Sequence, residues 1–233
     1  MFSLSPAETA ALLLSLKVAF WSVAVSVPVA IAFAWLLSRR DFPGKTLLDA
    51  VVHLPLVLPP VVIGYFLLIL FGRRGAIGAV LDEYLGVTFA FRWTGAALAC
   101  AVMGLPLLIR AVRQSLDAVD RGLESAAATL GASPLWVFAS VTLPLILPGI
   151  LTGMLLSFAR SLGEFGATIT FVSNIPGETQ TLPLAIYTFT QVPGGDAQAM
   201  RLCILSIVLS LAALMASELL LRRANKRASG LDA

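Results

Sequence analysis

Five long apolar stretches dominate the chain, at residues 10–37, 47–71, 94–115, 143–172 and 201–222. A helix of about 20 residues crosses a hydrocarbon core of about 30 Å, so each stretch predicts a membrane span. Between the third and fourth lies a different pattern, DRGLESAAATLGASPLWVFASVTLP, residues 120–144. Leu123, Ala126, Ala127 and Leu130 recur at helical spacing and share one face. Asp120 reads as the N-cap of that helix and Gly131 as its left-handed terminator. Ser133 and Pro134 read as the cap and first residue of a second short helix. It carries Leu135, Trp136, Val137 and Phe138 and is expected to end before Pro144.

The second stretch holds Pro55, Pro59 and Pro60, which remove backbone donors. It is expected to bend or break, either beside a transport path or as a kinked packing helix. The fourth stretch contains Arg160 and Glu164, four residues apart on one predicted helical face. An unpaired charge in that setting costs at least ~2.5–3.5 kcal/mol, so the two are expected to pair. They would either line and gate a path or lock two helices together. Gly163 and Gly166 flank the pair and would admit a close helix. Lys17, near the start of the first stretch, is expected to reach the interface with its amine.

Charge sets the orientation. Arg39, Arg40, Lys45, Arg110, Arg113, Arg121, Arg222, Arg223, Lys226 and Arg227 fall at one set of span ends. Only Arg73, Arg74, Arg92 and Arg201 fall at the other. The positive-inside rule makes the richer set cytoplasmic, with the N-terminus outside, the C-terminus inside and the 120–144 hairpin in the cytoplasm. Arg73, Arg74 and Arg92 either draw an anion towards an entrance or anchor the interface. The outer connections predict short helices, one bearing Ile77, Val80, Leu81 and Leu85, the other spanning residues 182–192.

Composition agrees with a membrane protein of one domain, residues 1–233: 58% of residues are hydrophobic and 12% charged. The net charge of +3 does not imply nucleic acid, because the basic residues flank apolar stretches. Cys100 and Cys203 lie inside apolar stretches and read as small packing residues. His53 is the lone histidine and reads the same way; no metal-ligand constellation is visible. No cleaved signal peptide is expected, because the first apolar stretch is too long and lacks a basic start. There is no G-x-x-x-x-G-K-[ST] loop and no catalytic motif, so energy for any transport must come from a partner.

The hairpin resembles the coupling motif of ABC importer permeases: Glu-Ala-Ala, three residues, Gly, nine residues, Ile-x-Leu-Pro. Ala126-Ala127, Gly131 and Val141-Thr142-Leu143-Pro144 match, with Val for Ile. Ser125 occupies the glutamate position, and Glu124 stands one residue early. Together with DFPGKTLLDAVVHLPLVLPPVVIG and FARSLGEFGA, it looks like the molybdate ABC transporter permease family. The resemblance implies an all-α membrane protein with the five-helix, methionine-permease-like (MetI-like) core of type I ABC importers. It implies a homodimer in the bacterial inner membrane, a periplasmic oxyanion-binding protein and two cytoplasmic ATPase subunits that bind ATP and magnesium. This chain itself is then no enzyme and holds no cofactor. The coupling residues would be Glu124, Ser125, Ala126, Ala127, Gly131, Trp136, Phe138, Leu143 and Pro144. Trp136 and Phe138 would anchor the hairpin. Pro59, Pro60, Arg160 and Glu164 would be the path or gate. The cargo would be molybdate or tungstate; a sulfate or thiosulfate permease, a stand-alone secondary anion transporter, or a membrane scaffold are the alternatives.

Overall fold

The computed structural model describes residues 4–229, with side chains described except at 217 and 220–229. The basic residues Arg222, Arg223, Lys226 and Arg227 therefore lie outside the described side chains. Among the described residues the regular elements are all helical: α1 (Pro6–Arg39), α2 (Lys45–His53), α3 (Pro60–Phe71), α4 (Gly78–Leu85), α5 (Trp93–Ala118), α6 (Arg121–Thr129), α7 (Pro134–Val137), α8 (Leu143–Leu162), α9 (Gly166–Val172), α10 (Leu182–Thr190) and α11 (Asp196–Ser229). Among the described residues four helices are long and apolar enough to cross a membrane, or five if the bent α2–α3 pair counts as one span.

Local chemistry explains where α1 begins. Ser5 Oγ accepts from Glu8 N while Glu8 Oε2 accepts from Ser5 N, so two N–H groups at the helix start are satisfied reciprocally. The span consequently starts at Pro6, four residues before the apolar stretch suggested.

Two apolar stretches are not single helices. Between α2 and α3 the chain turns through 110°, across a 3₁₀ turn at Leu54–Leu56. Pro55, Pro59 and Pro60 lie in this turn and its flanks, as the removal of their N–H donors requires. The fourth stretch breaks at residues 163–165, so Glu164 follows the end of α8 rather than sharing its face with Arg160. Conversely, the second hairpin helix does not stop before Pro144. It widens at Phe138–Thr142, where Leu143 N donates to Phe138 O five residues back, and runs on into α8. The wider turn gives the Pro144 ring room that a regular helix would deny it. The result is one helical rod from Pro134 to Leu162.

α1, α5 and α8 form the centre. Ala30, Ala34 and Leu37 of α1 pack with Leu108, Ile109, Val112 and Leu116 of α5 and Ile146 and Ile150 of α8. In a bilayer, helix association rests on close packing of small residues rather than on exclusion of water. A Cβ on Gly104 would sit 2.2 Å from Ser157 Oγ, one on Gly149 2.0 Å from Ser115 Oγ, and one on Gly153 2.5 Å from Leu108 Cδ1. A second cluster joins Ile63 and Leu67 of α3 to Ala167 and Phe171 of α9 against Cys100 and Met103. A third, Ala11, Leu182, Ala185 and Leu202, ties α1, α10 and α11 together.

Candidate functional site

The hairpin, α6 and α7, is built by its caps. Asp120 Oδ1 accepts from Gly122 N at 2.8 Å and Ser133 Oγ accepts from Trp136 N at 3.4 Å. Gly131 adopts φ +86°, the left-handed value that a side chain resists, and Gly131 N closes onto Ala128 O at 3.0 Å. These three positions behave as the sequence predicts. The shared face of Leu123, Ala126, Ala127 and Leu130 is not packed inward, however: Leu130 is 89% exposed and Leu123 50%. Leu135 is 83% exposed and Trp136 59%. A groove lined by Ala126, Ala127, Leu130, Gly131, Trp136 and Val141 opens between the two arms. Val137, rather than Trp136, is the buried side chain that holds the second arm, with Phe138 half-buried beside it.

Glu124 has a definite partner set. Its Oε1 accepts from Arg39 Nη2 at 3.1 Å and from Thr142 Oγ1 at 2.7 Å. The first turn of the hairpin is thereby fastened both to the end of α1 and to the widened turn that leads into α8. Ser125, in the motif's glutamate position, is exposed. Leu143 and Pro144 open α8 and carry the hairpin's register into the membrane rod. The link to Arg39 spans 85 residues, and no local pattern announces it.

Arg160 and Glu164 do pair, Nη1 to Oε2 at 2.7 Å, despite the break between them. Glu164 is 1% exposed, and its Oε1 accepts from Ala167 N at 2.8 Å, capping α9. Here the carboxylate faces the positive end of a short helix as well as a guanidinium. Around the pair lies a buried polar seam: Ser22 Oγ meets Ser161 Oγ at 3.0 Å, and Ser161 Oγ donates to Ser157 O at 2.8 Å. Cys100 lies against it, its thiol 3.7 Å from Ser161 O. Pro60 reaches the same region, because a Cβ on Gly166 would lie 2.8 Å from Pro60 Cβ. The two broken stretches thus meet at their breaks. Gly166 serves the close approach expected of it; Gly163 does not, since a Cβ there would find only Arg160 O at 4.0 Å.

At the far end from the hairpin, Glu8 is fully buried and accepts from Arg201 Nη2 at 2.9 Å and Nε at 3.0 Å. This pair was invisible in the sequence because its members are 193 residues apart. Lys17 sits 3.7 Å above the Trp93 ring, so its charge is met by an aromatic face.

A family model described as the binding-protein-dependent transport system inner membrane component matches residues 26–226. The molybdenum transport system permease protein ModB of Escherichia coli (strain K12) is 60% identical over 225 residues, which cover 97% of this chain and 98% of that one. ModB of Haemophilus influenzae is 57% identical over 220 residues, covering 94% and 96%. The sulfate transport system permease protein CysT of Salmonella typhimurium is 38% identical over 187 residues, covering 80% and 67%. Among solved structures, a bacterial alginate ABC transporter in complex with an alginate pentasaccharide-bound periplasmic protein matches with a TM-score of 0.73 at 17% identity, covering 94% of this chain and 80% of that one. At that identity the likeness concerns the fold alone. The matched length and these identities together make this chain a member of the binding-protein-dependent transport system inner membrane component family.

Proposed function

We propose that this chain is the membrane-spanning permease subunit of an ATP-driven importer whose cargo is molybdate, with tungstate as a second dianion of the same shape. The observation that carries the reading is 60% identity to a molybdenum permease along nearly the whole of both chains. Sulfate is the weaker reading, since the sulfate permease match falls to 38%. The chain's part is transport rather than catalysis; ATP and magnesium belong to a separate ATPase.

In this reading two copies pair about one path, with the N-terminus outside, the C-terminus inside and five crossings per copy, the second made by α3 and the residues just before it, after the chain turns away from α2. The hairpin offers the ATPase an exposed apolar surface, Leu130, Leu135 and Trp136, around the groove that Ala126, Ala127 and Gly131 keep shallow. The end of the bundle that carries α4 and α10 receives the periplasmic binding protein. A hairpin seated in a moving ATPase pulls on two elements. Glu124 transmits to α1 through Arg39, and the continuous rod transmits to α8. At ~1.5 Å per residue, Arg160 lies roughly 24 Å along that rod from Pro144. Rocking of the rod would therefore move Arg160 relative to α3 and its Pro59–Pro60 break, opening or closing the path there.

The test is ATPase activity of the permease reconstituted with its ATPase and with binding protein loaded with molybdate, tungstate or sulfate. Stimulation by the molybdate or tungstate form, abolished by Gly131→Asp, is the expected result. Stimulation by sulfate alone reassigns the cargo. Anion flux that persists without ATP overturns the reading in favour of a stand-alone transporter.

A further inference from the structure

The polar face of α2 and the hairpin-side end of α5 flank an open cavity of about 660 Å³ lined by Asp49, His53, Arg110, Arg113, Gln114 and Asp117. Its carboxylates are already engaged. Asp49 Oδ1 lies 3.0 Å from Arg113 Nη1 and 3.4 Å from His53 Nδ1. Asp117 accepts from Ser38 Oγ and stands 3.9 Å from Arg113 Nε. Arg110 is exposed, and no carboxylate among the described residues lies within ion-pair distance of it. Gln114, one turn on, is exposed as well. The lining carries two arginines and two carboxylates. The carboxylates hold Arg113, Ser38 and His53, so the Arg110 guanidinium, with the Gln114 amide N–H, is the positive charge left to meet a ligand, and this suits an oxyanion.

The same helix says where in the bilayer the cavity sits. α2 has Lys45, Asp49 and His53 at i, i+4 and i+8 on one face. Leu48 and Val52 pack against the bundle. Leu47, Val51 and Leu54, on the side away from the polar face, are 69%, 55% and 45% exposed. α3, by contrast, exposes apolar side chains all along its length, among them Val61, Phe66, Ile69 and Leu70. The 110° turn sets α2 closer to perpendicular than to parallel to α3. If α3 enters the hydrocarbon, a two-faced helix turned across it fits the bilayer surface, apolar side down and polar side up.

We propose that α2 lies in the membrane surface and that its polar face, with Arg110 and Gln114 of α5, holds the phosphate group of an acidic phospholipid. The apolar stripe fixes the cavity at the depth of the headgroup phosphates, and this favours a lipid over a free anion from solution. The assignment depends on the chain's place in a membrane and is independent of its cargo.

The test uses the full chain, purified in detergent with equal phosphatidylglycerol and phosphatidylcholine, and counts retained lipid by native mass spectrometry. Phosphatidylglycerol is expected in excess. Arg110→Gln removes about a five-fold preference, the ratio carried by one basic residue at a membrane surface. Arg110→Lys, which keeps the charge, retains most of it. Equal retention of the two lipids by the unmodified chain overturns the proposal, as does an unchanged preference in Arg110→Gln or failure of the lysine to rescue. Displacement of the lipid by millimolar inorganic phosphate also overturns it and makes the cavity a site for a free oxyanion.

Discussion

Arg39 and Glu124, at the end of α1 and in the first turn of the hairpin, meet at 3.1 Å with side chains only 10% and 24% exposed. Glu124 also holds Thr142, so one carboxylate joins three elements. Hydrogen bonds to a charged group, half removed from water, contribute about 2 kcal/mol in such a setting. Glu124→Ala is expected to lower the thermal stability of the purified chain and to make the hairpin's backbone more open to protease. Thr142→Val should show a smaller loss. In a double-mutant cycle Arg39→Ala and Glu124→Ala should couple by about 1 kcal/mol; additive effects would mean that the pair does not hold the hairpin.

Glu164→Gln keeps the shape and the cap on Ala167 but leaves the Arg160 guanidinium, 29% exposed, without its carboxylate. Breaking a fully buried pair by removing one partner costs about 3 kcal/mol; here the cost is smaller, because the guanidinium reaches solvent, and removing both partners costs less than removing one. Denaturant unfolding should therefore rank Glu164→Gln below the double variant with Arg160→Gln. If the single variant is the more stable, the pair is not holding α8 to α9.

Gly64 and Gly163 should respond differently to the same added methyl. A Cβ on Gly64 would lie 2.5 Å from Ala167 O and 2.9 Å from Ala167 Cα, which are backbone atoms of α9. Overpacking of this kind costs about 1–3 kcal/mol. Gly64→Ala should lower the melting temperature, while Gly163→Ala, meeting nothing closer than 4.0 Å, should leave it within a degree or two of the parent's on the order expected for a surface change.

Leu130→Asp and Leu135→Asp alter side chains that are 89% and 83% exposed. Neither should change the stability of the isolated chain by more than about 0.5 kcal/mol. Both should weaken association with the ATPase by about ten-fold or more, because an interface core tolerates an unpaired charge poorly. Pull-down of the ATPase by the reconstituted permease distinguishes this from a purely structural role.

Glu8→Gln should loosen the end of the bundle opposite the hairpin. It leaves Arg201 without its carboxylate and weakens the reciprocal cap with Ser5. Hydrogen exchange should rise at the start of α1 and of α11 together, and not in α5.

The amino-acid sequence by itself determined whatever depends on neighbours in the chain. The apolar stretches fixed the class, because lipid demands that every backbone N–H be bonded within its own segment. Asp120, Gly131 and Ser133 set the hairpin's corners, since caps and left-handed glycines act over three or four residues. The prolines at 55, 59 and 60 foretold a break for the same reason. The tertiary structure decided everything that needs a distant surface. That Glu124 meets Arg39, that Glu8 meets Arg201, and that Leu130 stays bare depend on how rods pack, and periodicity assigns a face without naming what it meets. The break at residues 163–165 and the passage of the helix through Pro144 reverse the local expectation. In both places packing or a widened turn satisfies the backbone in a way that the local code leaves open.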